Sequence, residues 1–254
     1  MFQLHNVSFA AQTRTLLHSI CAEFKTGQVY GLIGHNGSGK STLIKLLARQ
    51  LEPTSGDIIL GQKKLKSWSS RAFAQKVAYL PQSLPSAAGL TVAELVLMGR
   101  FSHHSFFQHY DSEDEKVLNQ VLEYTHTTKF RDRFVHTLSG GERQRVWLAM
   151  CLAQQSQFLL LDEPISALDI AHQVEVMALV QKLARELKLG IIIVIHDINL
   201  AAQYCDQFLA LKNGALCFAG TKDDLMKTEV LKDIYDISLS IIDHPITHQA
   251  VALI

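Results

Sequence analysis

Residues near position 40 combine the side chains and the spacing that bind a phosphate. Residues 34–42 read GHNGSGKST, in which two glycines separated by four residues precede a lysine and a serine. Glycine reaches positive φ angles and has no Cβ, so successive N–H groups can turn inward onto an anion. The lysine can then reach the outer phosphates of a nucleotide, and the serine hydroxyl can hold Mg²⁺. We name residues 34–41 the phosphate loop; the candidate ligands are Gly34, His35, Asn36, Gly37, Ser38, Gly39, Lys40, Ser41 and Thr42.

The chain on either side of the phosphate loop predicts the elements that position it. Residues 28–33 form an apolar run of strand length, and residues 41–48 have apolar side chains at helical spacing. A helix beginning near Lys40 would direct the positive end of its dipole at the phosphates. The alternative is a glycine-rich turn before an ordinary core helix. The position of Lys40 and Ser41 directly after a predicted strand favours the phosphate site.

Two carboxylates follow a second apolar run. Asp162 and Glu163 come directly after residues 158–161, which read FLLL. Open α/β sheets gather their ligand groups at the carboxyl ends of such strands. Asp162 could hold Mg²⁺ through water, and Glu163 could orient and deprotonate an attacking water, a role worth roughly 10²–10⁴ in rate. The alternative is a solvated acidic pair at the end of a strand.

Predicted strands and helices alternate along the chain, as in an α/β fold. Near-continuous aliphatic runs are typical of parallel strands buried on both faces. A helix is predicted over residues 171–188, and Asn213–Gly214 predicts a tight hairpin between residues 208–211 and 215–218. The other predicted strands are 57–60, 77–80, 158–161 and 190–195.

The middle of the chain, residues 91–155, has a different pattern. Serine or threonine followed three residues later by glutamate marks a helix start, and this capping pattern occurs at Thr91, Ser112 and Ser139. The sequence therefore predicts a helical insertion within the α/β core.

Composition excludes several classes of protein. The chain has 254 residues, 48% of them hydrophobic, and its formal net charge is zero, so bulk charge gives no indication of nucleic-acid binding. No apolar stretch approaches the ~18 residues that a membrane-spanning helix needs. The first residues lack the basic and apolar regions of a signal peptide, so we expect a cytosolic chain. Cys21, Cys151, Cys205 and Cys217 form no C-x-x-C pair and are expected to be small core residues in a reducing compartment.

A second glycine-rich motif makes the interpretation specific. Residues 138–144 read LSGGERQ, and together with the phosphate loop they resemble the ATPase subunits of ABC transporters along nearly the whole chain. The resemblance implies a phosphate-loop NTPase core, a mostly parallel sheet with N-terminal antiparallel strands, and an inserted helical subdomain. It also implies a single ABC ATPase domain over residues 1–254. In that division 1–82 and 156–254 form the nucleotide-binding core, and about 83–155 forms the helical subdomain carrying the LSGGERQ signature motif.

The resemblance assigns roles to particular residues. Ser41 and Asp162 would bind Mg²⁺, and Glu163 would be the catalytic carboxylate. Gln82 would touch Mg²⁺ and report the nucleotide state, and His196 would contact the γ-phosphate. Residues 166–169 would cross to a second ATPase subunit. A lone glutamine is otherwise usually a surface residue and a lone histidine a structural one, but both stand at the family spacing. The residues that would contact ATP across a subunit boundary are Ser139, Gly140, Gly141 and Gln144.

The same resemblance implies partners. Two copies would pair head to tail around two ATP molecules, on a polytopic membrane permease at the cytoplasmic side of the bacterial inner membrane. A substrate-binding protein would take part indirectly. Residues 82–99 would form the groove for the permease, with Leu84, Leu90 and Met98 as anchors, unless these are core residues of the helical insertion. No nucleic-acid partner is expected.

Cargo is indicated by likeness alone. Residues 67–82, 168–173 and 234–237 resemble the importer subfamily for iron-siderophores, vitamin B12 and haem, and most of all its ferric-hydroxamate importer ATPases. Vitamin B12, haem or another metal chelate is the alternative. A non-transport ABC ATPase would share the motifs, but such proteins usually have two cassettes or long insertions. A small-molecule kinase would have no use for LSGGERQ.

Two further points concern individual side chains. Relatives usually place an aromatic ring for adenine near the position of Ala11; Phe9 is two residues early, and the flat guanidinium of Arg14 is an alternative platform. The pairs His103–His104 and His244–His248 lack a convincing metal-ligand spacing, so we expect surface residues.

Overall fold

The computed structural model describes residues 1–104, 110–246 and 248–253. Its strands are β1 (Phe2–Ala11), β2 (Arg14–Phe24), β3 (Val29–Ile33), β4 (Ser55–Leu60), β5 (Lys63–Lys64), β6 (Val77–Leu80), β7 (Phe158–Leu161), β8 (Gly190–Val194), β9 (Gln207–Lys212), β10 (Ala215–Thr221), β11 (Ser240–Asp243) and β12 (Ala250–Leu253). Its α-helices are α1 (Lys40–Leu47), α2 (Ser70–Ala74), α3 (Val92–Met98), α4 (Ser112–Tyr124), α5 (Gly140–Ala153), α6 (Ile170–Glu186), α7 (Ile198–Tyr204), α8 (Lys222–Leu225) and α9 (Thr228–Tyr235).

Three sheets organise these strands. The N-terminal sheet is antiparallel, in the order β2-β1-β4-β5. The central sheet has the order β10-β9-β3-β8-β7-β6 and is parallel except for β10. The strands β11 and β12 form a separate hairpin. A mostly parallel sheet with antiparallel N-terminal strands confirms the predicted fold class.

The central strands are buried because one face of the sheet packs against α5, α6 and α7 and the other face packs against α1 and the N-terminal sheet. Every residue of β3, β7 and β8 is buried, which accounts for their aliphatic sequences. The parallel pairing of β3 with β8 and of β8 with β7 brings the carboxyl ends of the three strands to one edge. The phosphate loop follows β3, and Asp162 follows β7, so this edge is where the candidate ligands meet.

The helices α3, α4 and α5 occupy the predicted insertion. Capping boxes begin α3 at Thr91 and α5 at Ser139, as the sequence predicts. The prediction for the middle helix is wrong by one residue, because Asp111, not Ser112, caps α4 and forms its box with Asp114. A carboxylate accepts N-terminal N–H groups as well as a hydroxyl does, so Asp111 can cap the helix although it lies outside the serine/threonine–glutamate pattern. The division of the chain into a core and a helical subdomain stays a prediction.

A buried charge cluster supports these helices and corrects one expectation. The carboxylate of Asp114 accepts a bond from Arg100 Nε at 2.8 Å and lies 2.7 Å from Nε2 of His104. His103 Nε2 lies 2.8 Å from the carbonyl oxygen of Gln154. His104 is therefore not a surface residue as predicted: its side chain is 9% exposed and packs against a buried carboxylate.

The turn between β9 and β10 and the four cysteines are also the subject of predictions from the sequence. Asn213 and Gly214 have φ angles of 49° and 78° and join β9 to β10, which confirms the predicted hairpin. Cys151 and Cys205 are buried, but Cys21 and Cys217 are exposed on strands, contrary to prediction.

Within the described ranges, no group of three metal-ligating side chains is assembled. No described helix has the length and apolar character needed to cross a bilayer.

Candidate functional site

The phosphate loop depends on glycine at two closely packed positions. Gly34 has a φ of 126°, and a Cβ there would collide with the carbonyl oxygen of Leu211. Gly39 has a φ of 106°, and a Cβ there would lie 2.6 Å from Cδ2 of Leu17. Gly39 also caps the N-terminus of α1 without a side-chain bond, which leaves the first amides of the helix directed at the loop.

Lys40 places a buried positive charge inside the phosphate loop. Its ammonium group donates to the carbonyl oxygens of Gly34 at 2.7 Å and His35 at 2.8 Å. Burial lowers the pKa of Lys40, while the nearby charges of Glu163 and Asp162 oppose that shift. Two carbonyl groups do not neutralise an ammonium ion, so an anion in the loop would be stabilised. The loop thus fits a phosphate group.

Asp162 and Ser41 form the adjacent polar pair. The Ser41 hydroxyl donates to Oδ1 of Asp162 at 3.1 Å, and the hydroxyl of Tyr79 lies 3.5 Å from Oδ2. Burial raises the pKa of Asp162, with the bond from Ser41 opposing the shift. A cation beside this carboxylate would offset its lost hydration. A hydroxyl and a buried carboxylate are hard oxygen ligands, and their chemistry fits Mg²⁺.

Glu163 is the point at which separate strand ends converge. The side-chain amide of Gln82, beyond β6, donates to Oε2 of Glu163 at 2.7 Å. His196, beyond β8, places Nε2 2.8 Å from Oε1. Glu163 itself has a φ of 51°, a left-handed backbone that non-glycine residues adopt at a cost of about 1–3 kcal/mol. The turn after β7 therefore directs this carboxylate to Gln82 and His196, residues that lie far apart in the sequence.

Two cavities meet at Glu163. The first, of about 270 Å³, is lined by phosphate-loop residues together with Arg14, Leu16, Thr42 and Glu163. The second, of about 280 Å³, is lined by Glu163, His196 and neighbouring residues including Ser166 and Asp197. Arg14 thus shares a cavity with the phosphate loop. Phe9 instead packs against the core beneath the N-terminal sheet.

The signature motif is placed differently. Ser139 and Gly140 are exposed at the N-terminus of α5, whereas Gly141 and Gln144 are buried. The Ser139 N–H and hydroxyl both donate to Oε2 of Glu142 at 2.9 Å. None of these residues lines either of the two cavities at Glu163. The structure therefore brings Lys40, Ser41, Gln82, Asp162, Glu163 and His196 together but leaves the signature motif outside their site.

This combination of a phosphate loop and a separate signature motif has a match among known families. The model of the ABC transporter family matches residues 17–166. The chain belongs to the ABC transporter family. Members of this family bind ATP, and the ATP-binding subunits hydrolyse it to drive transport.

Relatives within the ABC transporter family point to importers. The chain is 42% identical to the petrobactin import ATP-binding protein FpuC of Bacillus anthracis, over 95% of this chain and 89% of the relative. It is 39% identical to the iron(3+)-hydroxamate import ATP-binding protein FhuC of Bacillus subtilis, over 94% and 89%. A solved structure described as an inward-facing metal-chelate type ABC transporter aligns with a TM-score of 0.86 at 26% identity, over 99% and 95%.

One contact to the phosphate loop could not be foreseen from residue types. The rings of His35 and Tyr235 are 5.6 Å apart, and Asp236 lies 3.9 Å from Nε2 of His35. Lys212 holds Asp236 at 2.6 Å. Burial raises the pKa of Tyr235 to about 12. Tyr235 and Asp236, at the end of α9 and just after it, thus contact His35 of the phosphate loop. Residues 234–237 resemble the importer subfamily, but their residue types do not predict this contact.

Proposed function

We propose that this chain is the ATP-hydrolysing subunit of an ABC importer for a metal chelate, with iron(III)-hydroxamate siderophores as the cargo. The observation that carries the hydrolytic role is the convergence of Gln82 and His196 on the carboxylate of Glu163, beside the buried Lys40. The cargo assignment is supported by the names of the relatives. Haem, vitamin B12 or another chelate is the alternative.

Two sets of groups in the site would bind the phosphates of ATP and the Mg²⁺ ion. Lys40 and the loop amides would hold the outer phosphates of ATP, with Gly34 and Gly39 leaving room for that approach. Ser41 and Asp162 would hold Mg²⁺, assisted by Gln82. When bound, the ion supplies positive charge that offsets the charge developing on the phosphate oxygens.

Glu163 would act on the attacking water. Its carboxylate can accept a hydrogen bond from water and then the proton, once its contact with His196 is exchanged for that water. His196 would then be free to donate through Nε2 to the γ-phosphate. In this account, Glu163, His196 and Gln82 are one hydrogen-bonded unit whose partners change when ATP is bound.

The second half of the ATP site would come from another copy of this chain. Ser139, Gly140, Gly141 and Gln144 lie outside both cavities at Glu163, yet two of them are exposed at a helix N-terminus, where an anion is favoured. Two chains placed head to tail would put each signature motif onto the ATP of its partner. ATP then stabilises the closed pair, and hydrolysis reopens it.

The pair would act on a polytopic permease at the cytoplasmic face of the bacterial inner membrane, with a substrate-binding protein delivering the chelate on the far side. Nucleic acid is not a proposed partner. Leu84 and Leu90 are partly buried against the core, and Met98 is 54% exposed, so Met98 is the most accessible proposed permease anchor.

Replacement of the carboxylate tests the hydrolytic role. Glu163→Gln keeps the size and the hydrogen-bonding ability of the side chain but removes its basicity. We expect ATP binding to be retained and hydrolysis to fall by at least ~10²-fold. Sedimentation with Mg-ATP should show the variant accumulating as a pair. Near-normal turnover of the variant would remove Glu163 from the catalytic role.

Uptake separates the possible cargoes. Cells lacking this chain should lose import of radio-labelled ferric hydroxamate, and the wild-type gene but not the Glu163→Gln gene should restore it. Haem and vitamin B12 uptake in the same cells serve as parallel measurements. Loss of haem or vitamin B12 uptake with normal hydroxamate uptake would reassign the cargo.

A further inference from the structure

The helices α5 and α6 touch each other close to the signature motif. A Cβ on Gly141 would lie 2.8 Å from Cδ2 of His172, so the histidine ring packs directly on the glycine backbone. One helical turn further along, Nη1 of Arg145 donates to Oε2 of Glu175 at 2.8 Å. Gly141 and Arg145 are four residues apart on α5, and His172 and Glu175 are three apart on α6. Each pair lies on one face of its helix, so the helices meet at two points.

The same histidine is bonded to the 166–169 loop. Nδ1 of His172 lies 2.8 Å from Oδ1 and 2.9 Å from Oδ2 of Asp169, and the His172 N–H donates to Oδ1 at 3.0 Å. Asp169 caps α6 through this last bond. An N-terminal cap needs the backbone bond alone. The bond from the ring therefore fixes the orientation of the imidazole, and this orientation presses Cδ2 against Gly141.

The contacts continue from the loop to the proposed catalytic carboxylate. The Ser166 hydroxyl donates to the carbonyl oxygen of Glu163 at 3.1 Å. At the other end of the loop, the side-chain amide of Gln173 donates to the carbonyl of Leu168 at 3.0 Å. Both ends of the 166–169 loop are thereby held to their neighbours. A contiguous series of contacts links Glu163, the loop, His172 and the signature motif.

We propose that His172 is a positioning residue that makes the signature motif and the 166–169 loop move as one unit. This inference rests on the proposed function, in which both elements of one chain serve the ATP held by a second copy. A shift of the signature helix toward that ATP would then carry the loop, and with it the Glu163 turn, in the same motion. Arg145 and Glu175 keep the two helices from rotating about the histidine contact.

Three variants test this role. His172→Ala removes both ring contacts, and His172→Asn keeps a donor for Asp169 but loses the ring on Gly141. Lys182→Ala, at an exposed position further along α6, is the matched control. For His172→Ala we expect ATP affinity within twofold of wild type and a fall in kcat of roughly ten- to a hundredfold, since small misplacements near a reacting group have effects of this size. His172→Asn should recover part of kcat, and Lys182→Ala should match wild type.

Hydrogen exchange on the protein without ATP tests the contact independently of pairing. His172→Ala should speed exchange at the amides of both residues 142–143 and residues 170–172. Protection of residues 142–143 at the wild-type level would overturn the link, as would wild-type kcat in a variant with faster exchange. If Glu163→Gln failed to pair with ATP, the proposed function would fail, yet the exchange result would still decide whether the two elements are joined.

A double-mutant cycle between His172→Ala and Glu175→Gln sharpens the test. Two contacts that hold one pair of helices should not act independently, so the combined fall in kcat should differ from the product of the single effects. Strictly multiplicative effects would show that the two contacts do not form one unit, and would overturn that part of the proposal.

Discussion

The phosphate-loop site and the signature motif are built in opposite ways. At the phosphate loop, side chains following four different strands meet within hydrogen-bonding distance, and Lys40 is buried among them. At the start of α5, Ser139 bonds within its own turn to Glu142 and is open to solvent. The first site is assembled by the fold of one chain. The second is a single local turn on a helical segment.

This difference explains what each region can do alone. A loop that buries an ammonium ion is ready to bind phosphate in the isolated subunit, since its donors are already oriented. At the signature motif, the N–H and hydroxyl of Ser139 are already bonded to Glu142 in the same turn, so this motif acts only when an anion is brought to it. Nucleotide binding is therefore expected of one chain, and turnover of two. Variants in each region test this difference.

The largest effect is on the stability of the helical insertion, residues 91–155. Asp114 is 1% exposed between Arg100 and His104, and its removal would leave the buried guanidinium of Arg100 without its charged partner, bonded only to the carbonyl of Ala153 and the side chain of Gln155. Asp114→Ala should lower the free energy of unfolding by about 3–5 kcal/mol. ATP affinity of the folded fraction should stay near wild type, because the phosphate loop lies in the other region. Denaturant unfolding and nucleotide titration measure the two quantities.

Acid provides a second measurement of the same cluster. Burial opposes ionisation of Asp114, but the bonds from Arg100, from the Asp111 N–H and from His104 together outweigh it and lower the pKa from its ordinary 3.8 to about 2. A lowered folded-state pKa gives stability that is present above pH 3.8 and lost as pH falls toward about 2. Wild type should lose stability in this window, and Asp114→Ala should lose less. Equal acid sensitivity of both proteins would contradict the role of the cluster.

The next effect tests whether the two regions complete each other across a pair. Lys40→Ala disables the phosphate loop and Ser139→Arg disables the signature motif, so each variant alone should lose about 10²–10³ in turnover. A mixed pair has one intact site, formed by Lys40 of one chain and Ser139 of the other. Mixing equal amounts should restore up to about a quarter of wild-type turnover per pair, on a statistical distribution of chains. An inactive mixture that still forms pairs would rule out the head-to-tail arrangement.

Features that depend on neighbouring residues can be predicted from the sequence, whereas contacts between distant segments of the chain cannot. The phosphate loop, the Thr91 and Ser139 caps and the Asn213–Gly214 turn follow from residue types a few positions apart, and the sequence predicts each of them. The cap at Asp111 is missed because the pattern admits only serine or threonine, whereas the carboxylate of the preceding residue caps the helix.

The errors and omissions share a physical cause. The burial of His104 against Asp114, the left-handed backbone of Glu163 and the contact of Tyr235 with His35 depend on segments that meet only in the folded chain. No spacing rule encodes such meetings. The roles assigned to the site residues, unlike the fold, remain predictions until the variants are measured.

A third effect concerns the outward surface of the helical segment. Met98→Asp adds a charge at an exposed position, and Leu90→Asp adds one at a partly buried position. If this surface receives the permease, Met98→Asp should keep basal ATPase while the stimulation by the permease falls on the order of tenfold, as at an interface anchor. ATPase assays with and without reconstituted permease measure both. Unaltered uptake in cells carrying Leu90→Asp at normal protein level would contradict this placement.

The smallest effect lies at the base-binding end of the phosphate-loop cavity. Ala11 is exposed and pairs with Arg14 across the β1–β2 turn, and Arg14 lines the cavity while Phe9 packs into the core. Because none of the described residues that line this cavity has an aromatic ring, phosphate contacts should dominate affinity, and the isolated subunit should discriminate only weakly between ATP and GTP. Ala11→Tyr should tighten ATP binding several-fold, since a stacking ring is worth on the order of 0.5–1.5 kcal/mol. Arg14→Ala, which removes the guanidinium platform, should weaken it by less than the phosphate-loop variant Lys40→Ala does. Equilibrium titrations with both nucleotides decide the matter: a wild-type preference for ATP of about a hundredfold, which equals about 2.7 kcal/mol, would exceed what a lone guanidinium supplies and would require another adenine platform.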